Sequence, residues 1–262
     1  MELYQFSNLR KFPSVTHFIT TRKGGVSNPP YDRLNLGFRT ADTPENVTEN
    51  WKILSEHTQI NLNSFVIAHQ VHQGNVAVAD QLTPRGAWTD QSKEIDNTDA
   101  FITSEKNICI VVKVADCVPI LVYDPELHIA AAIHAGWRGS VNSVTANTIN
   151  KMITTFKCNP ENLFAGIGPS IGPCCYEVGT DVIGAVMEKW GTTDSFLVKT
   201  ANSQRYHFDL WHSNRYELIR SGVKADHIET AGICTRCNSD LYFSARASKG
   251  NTGRFCGAIM LK

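Results

Sequence analysis

The chain has 262 residues, 42% of them apolar and 19% charged, and its 25 basic residues balance 25 acidic ones. This composition excludes a disordered or fibrous chain, and the absence of a basic stripe or tail argues against nucleic acid or a membrane surface as partner. No apolar run approaches the roughly 20 residues needed to span a bilayer, and the opening MELYQFSNLRKFPSV lacks the long apolar stretch of a secretion signal. The expected location is therefore the cytoplasm. There, eight cysteines are expected to be thiols, metal ligands or a nucleophile rather than disulfides.

In chain order, HFITT (17–21) reads as a strand, and residues 22–37 read as a long loop with two adjacent glycines. Thr43-Pro44-Glu45 caps and opens a helix that runs to about Glu56. Residues 64–80 read as a hairpin around Gly74. The runs ICIVVKVAD (108–116) and HIAAAIHAG (128–136) are apolar almost throughout, which suits strands covered on both faces. A helix over 140–156, capped by Gly139-Ser140, follows. Residues 163–173 read as a strand leading into a glycine-rich turn, 179–190 and 209–221 as helices, and 227–234 and 255–261 as closing strands. Strands and helices interleave without a strict βαβ rhythm, so a mixed sheet arrangement is expected, not a doubly wound parallel one. No linker divides the chain, and one compact domain over 1–262 is expected.

The chemistry concentrates at the ends of the two apolar runs. The first delivers Asp116-Cys117 and the second delivers His134, followed by Ala-Gly-Trp-Arg138-Gly. His69 and His72 lie upstream; on a strand they face opposite sides, so only one can easily join a shared site. One Cys with two His makes a three-ligand set with an open fourth position, the pattern of catalytic zinc. Arg138 lies where a helix begins, and backbone N–H groups there favour an anion. Other patterns are weaker. His227-Ile-Glu229 with Cys234-Thr-Arg-Cys237 superficially resembles zinc nucleobase deaminases, but one short strand cannot supply two helix-borne elements. Gly166-Ile-Gly168-Pro-Ser-Ile-Gly172 has the wrong spacing for a dinucleotide loop. Cys174, Cys175, Cys234 and Cys237 could form a second, four-thiolate site, although adjacent cysteines rarely both ligate one ion. Nine scattered histidines without a His-x-His pair do not supply a four-copper set.

TTRKGGVS, LNLG, AHQVHQG, VADCVPILVYD, HAGWRG, GPSIGPCCYEVG and TGRFCGAIML, in this order along the chain, resemble the bacterial laccase-domain proteins. These are also called multicopper polyphenol oxidoreductases, or YfiH-type proteins. The resemblance implies an α/β fold, a four-layer α/β/β/α sandwich with mixed sheets, internally duplicated at low sequence similarity. It implies zinc on His72, Cys117 and His134, and so selects His72 over His69; copper also suits such donors. It further implies purine nucleoside phosphorolysis on adenosine, inosine, guanosine and methylthioadenosine, together with adenosine deamination. Copper-dependent polyphenol oxidation and cysteine-hydrolase-like editing of peptidoglycan precursors are the alternatives attached to the family. Gln73 departs from the family pattern, which often has Gly after His72. On this reading the small-molecule partners are a purine nucleoside and phosphate. Arg138 is the expected phosphate holder with Arg22 second, and Asp116 is expected to orient a metal ligand. Cys117 with His134 as base would alternatively form a nucleophile pair.

Overall fold

The structure, a computed structural model, describes residues 1–88, 90–199 and 205–262. Two mixed sheets pack face to face. The first runs, in spatial order, Leu3–Tyr4, Val15–Thr20, Phe255–Leu261, Cys109–Val114 and Phe65–Val66. The second runs Ile228–Thr230, Phe164–Ile167, Val118–Asp124, Ile129–Ala135, Ala100–Thr103 and Val76–Val78. A small third sheet joins Glu177–Val178, Tyr206–Phe208 and Leu197–Lys199.

Side-chain alternation explains the layering. Along Ile129–Ala135, Ile129, Ala131 and Ile133 face the helices Val144–Phe156, Thr180–Trp190 and Leu210–Arg220, whose buried residues share their core. Ala130 and Ala132 face the other way, onto Ile110, Val112 and Ile259 of the first sheet. The outer face of that first sheet is covered by Val47, Trp51 and Leu54 of the helix Pro44–Thr58. Helix, sheet, sheet and helices thus form the four layers the family resemblance implies, and a chain buried on both faces of its central strands needs the near-continuous apolar runs seen in the sequence. Thr43 caps the helix Pro44–Thr58 through a hydrogen bond from Asn46 N, with Pro44 in the first turn.

Several expected boundaries move. Residues 64–80 form no hairpin: Phe65–Val66 joins the first sheet beside Cys109–Val114, and Val76–Val78 joins the second beside Ala100–Thr103, both in parallel. The run expected over 108–116 is one strand, Cys109–Val114, and a second strand that was not expected, Val118–Asp124, follows it. The chain leaves the first sheet at Val114, turns at Ala115-Asp116-Cys117 and enters the second at Val118. Asp116 takes φ +85° to make that turn, a conformation uncommon outside glycine. The helix expected over 140–156 begins earlier, at Trp137, and breaks at Ser143 in the left-handed region, leaving Trp137–Val141 and Val144–Phe156. Within 163–173 the strand is Phe164–Ile167, followed by the expected turn, and the strand expected over 227–234 is shorter, at Ile228–Thr230. Among the described residues no helix is long and apolar enough to cross a membrane.

Candidate metal centre

Strand register brings the reactive groups to one edge. Val118 pairs with Ala135 and Pro119 with His134, so Cys117, just before one strand, comes beside Gly136, just after the other. On the far side of Ile129–Ala135, Ala100 pairs with Ile133, which sets Asp99 against His134; His134 N donates to Asp99 O at 2.8 Å. His134 has the parity of Ala130 and Ala132, so its ring points into the layer between the sheets. The loop before Val76–Val78 folds over this edge and carries His72, at φ +61°.

The ligating atoms of His72, Cys117 and His134 all lie within 4.8 Å of one another. The two imidazoles meet edge to face with centroids 4.7 Å apart. His134 is buried, Cys117 half-buried and His72 exposed. Asp99 holds the set in place. Its Oδ1 accepts from His134 Nδ1 at 2.9 Å and from His72 N at 2.9 Å, and its Oδ2 accepts from Gln73 N at 2.7 Å. With Nδ1 committed to Asp99, His134 presents Nε2 to the centre. A carboxylate behind a ligating histidine fixes its tautomer and raises its basicity. The donor set suits a divalent ion: two imidazoles and one thiol converge, and three protein donors leave a fourth position open. Gly136 makes room for it, since a Cβ there would stand 2.9 Å from Cys117 Sγ and 3.3 Å from His72 Cδ2.

Electrostatics favour the ionised thiol. Burial pushes the Cys117 thiol up, but the adjacent His134 charge and hydrogen bonds from His134 and His72 outweigh it, bringing its pKa to about 6. For His134, burial disfavours the charged form, while Cys117 and Asp99 favour it more strongly and raise the pKa to about 9. The bare pair is therefore a thiolate beside an imidazolium.

The centre opens into a cavity of about 640 Å³ where the two sheets part. Arg39, Lys113, Arg138, Arg246, Lys249 and Arg254 line it, with Ile171, Tyr176 and Leu210 as an apolar wall. Glu94 neutralises Arg39 and Lys113. Among the described residues no carboxylate pairs with Arg138, Arg246, Lys249 or Arg254. Arg138 packs over the Trp137 ring at 4.2 Å and Arg246 over the Tyr176 ring at 5.1 Å.

Two expected roles change, and one residue keeps its role from a different position. Arg22 does not reach the cavity: it pairs with Asp32, donates to Ser239 O and stacks on Phe243. Asp116 lines the cavity but orients no ligand, because its carboxylate accepts from Thr235 Oγ1 and Arg246 N, both at 2.6 Å. Arg138 lies inside the short helix Trp137–Val141 rather than before a helix, and reaches the cavity as an exposed side chain. His69 bonds Asp96 at 2.8 Å and stays out of the set. Gln73 turns its amide to Asn142, away from the centre. Sequence reasoning missed Asp99; its one signal was a carboxylate directly ahead of the short apolar run AFIT.

Residues 16–262 match the family model described as multi-copper polyphenol oxidoreductase laccase. The chain belongs to this family. It is 33% identical to a purine nucleoside phosphorylase of Bacteroides thetaiotaomicron, over 98% of the chain and 95% of that protein. It is 30% identical to adenosine deaminase RL5 of an unknown prokaryotic organism, over 100% of both. The crystal structure of the Bacillus licheniformis hypothetical protein YfiH superposes with a TM-score of 0.92 at 30% identity, over 97% of this laccase-domain chain and 95% of that one.

Proposed function

We propose that this laccase-domain protein is a zinc-dependent purine nucleoside phosphorylase that also deaminates adenosine. The observation that carries the reading is the three-donor set of His72, Cys117 and His134 opening onto a cavity in which Arg138, Arg246, Lys249 and Arg254 have no carboxylate partner among the described residues. The names of the relatives supply the substrate class.

When bound, zinc supplies a Lewis acid and lowers the pKa of a bound water to about 7. The chain supplies the rest. Asp99 holds His134 in one tautomer and, through His72 N and Gln73 N, fixes the loop that carries His72. In phosphorolysis, a phosphate oxygen bonds to the anomeric carbon of the ribose while the carbon–nitrogen bond to the purine breaks. The bond's electrons leave with the base, which takes up a proton. Arg138 and Arg246 are the groups we assign to the phosphate, since each guanidinium is braced on an aromatic ring and lacks a competing carboxylate. Ile171 and Leu210 offer the flat purine an apolar surface. The test is release of base from inosine, guanosine and methylthioadenosine, with and without phosphate, by zinc-loaded protein and by protein stripped with a chelator. Phosphate-dependent release that disappears on stripping and returns with zinc is expected; release indifferent to both would sink the reading.

One observation favours a second reading. The Cys117 thiolate beside the His134 imidazolium is the arrangement of a covalent thiol hydrolase. That reading predicts the opposite response, a gain in activity when zinc is removed. Copper-dependent polyphenol oxidation draws no such support. Among the described residues two ligand clusters come together, one with two histidines and one with none, whereas a four-copper set needs many.

A further inference from the structure

Cys174, Cys175, Cys234 and Cys237 take no part in the reaction outlined above and line no part of its cavity. Their four sulfur atoms nevertheless lie within 4.8 Å of one another. We propose that these four cysteines form a second metal site, a closed four-thiolate site of structural kind for a thiophilic divalent ion such as zinc.

Distance is the first argument. Sγ of Cys237 stands 3.8 Å from that of Cys174 and 3.4 Å from that of Cys175. Zinc–sulfur bonds of about 2.3 Å in a tetrahedron place neighbouring sulfurs about 3.8 Å apart. The cluster is therefore close to the dimensions of the complex, with every sulfur within 4.8 Å of the others.

Local backbone supplies the second argument. Cys234 and Cys237 have the Cys-x₂-Cys spacing of structural zinc sites. They occupy a turn closed by Asn238 N donating to Cys234 O at 3.0 Å. Gly172 N donates to Cys234 Sγ at 3.3 Å, so a backbone dipole already faces the sulfur that would carry charge. Adjacency of Cys174 and Cys175 is no obstacle here. On a strand, neighbouring side chains point to opposite faces. These two sit instead in a tight turn, where Cys175 N and Tyr176 N both donate to Gly172 O, at 2.9 and 3.0 Å. Both sulfurs consequently reach Cys237.

Position suggests what the ion would do. The site ties the turn at 172–176 to the turn at 234–238, and both flank the cavity wall. Ile171 N donates to Asp116 O at 2.9 Å, and Thr235 Oγ1 donates to the Asp116 carboxylate at 2.6 Å. Ile171 and Tyr176 line the cavity on either side of the cysteine pair. Four protein donors leave no open position, so the ion staples this wall and takes no substrate. Binding releases up to four thiol protons to solvent and leaves the metal oxidation state unchanged.

The test is metal content with cobalt substitution. Protein purified under reductant is assayed for zinc as wild type, as Cys174→Ser with Cys237→Ser, and as His72→Ala with Cys117→Ser. Two ions per chain in wild type and one in each double variant are expected. Cobalt-loaded wild type should show the strong thiolate-to-cobalt absorption of a multi-thiolate site. That absorption should vanish in the Cys174/Cys237 variant and persist in the His72/Cys117 variant, which separates this proposal from the fate of the nucleoside reading. One ion per chain, indifferent to Cys174 and Cys237, would overturn it. So would a wild-type cobalt spectrum lacking the multi-thiolate absorption.

Discussion

Asp99→Asn is the most informative single change at the centre. Asp99 is 1% exposed and accepts three hydrogen bonds, from His134 Nδ1, His72 N and Gln73 N. An asparagine carbonyl replaces one acceptor oxygen; its NH₂ group would replace the other and meet a donor. If the carbonyl stays toward His134 and His72, the amide faces Gln73 N–H; if it flips, the amide faces two donors. The milder outcome leaves one buried N–H unsatisfied, which costs about 1–3 kcal/mol. It also removes the negative charge that favours the charged His134 ring and lies behind its ligating nitrogen. Loss of such a supporting partner weakens metal affinity by about 10–100-fold, or about 1.4–2.7 kcal/mol. Competitive zinc titration against a chromogenic chelator reads this directly, with urea unfolding of the metal-free proteins as the stability control. Asp116→Asn is the contrasting variant, because its carboxylate binds Thr235 and Arg246 and no metal ligand. Its zinc affinity should stay near that of wild type. Wild-type affinity in Asp99→Asn, or a larger loss in Asp116→Asn, would refute the assignment of Asp99 as the positioning carboxylate.

Further outcomes follow from the same geometry. Metal-free protein should be alkylated at Cys117 by iodoacetamide half-maximally near pH 6, against about 8.5 for an ordinary thiol; zinc should block the reaction, and a midpoint near 8.5 in the metal-free protein would contradict the thiolate assignment. Gly136→Ala places a Cβ 2.9 Å from Cys117 Sγ and should weaken zinc binding by about tenfold or more, while unchanged affinity in the chelator titration would show that the close approach does not matter. His17, 1% exposed, accepts from Phe6 N at 2.9 Å, and burial draws its pKa from 6.5 to about 4. Above pH 6.5 its contribution to stability is complete. Between about 6.5 and 4 the unfolded chain binds a proton that the fold refuses, so about 3 kcal/mol is lost as pH falls through that window. Urea unfolding across it should show a shallower pH dependence in His17→Gln, and identical slopes would reject the account.

Much of the centre was legible because its donors lie within or beside highly patterned strands. Cys117 and His134 stand at the ends of apolar runs, and His72 falls in a motif shared with the family. What stayed hidden depends on three-dimensional pairing. Asp99 acquires its role from the register of Ala100–Thr103 against Ile129–Ala135, which no local pattern announces. The crossing from one sheet to the other at Ala115-Asp116-Cys117 escaped notice because both strands are apolar and the turn contains neither Gly nor Pro. The false hairpin at 64–80 failed for the related reason that its two strands pair with different sheets. Arg22, beside a glycine-rich loop, resembled an anion holder until Asp32 and Ser239 were found to occupy its guanidinium.

The central claim is tested most directly by the phosphorus product. Inosine incubated with zinc-loaded protein and inorganic phosphate, followed by phosphorus NMR and chromatography, should yield ribose 1-phosphate in equal amount to hypoxanthine. Cys117→Ser should yield neither. Hypoxanthine without ribose 1-phosphate would make the reaction hydrolysis rather than phosphorolysis, and product formation undiminished in Cys117→Ser would remove the chemistry from this centre altogether.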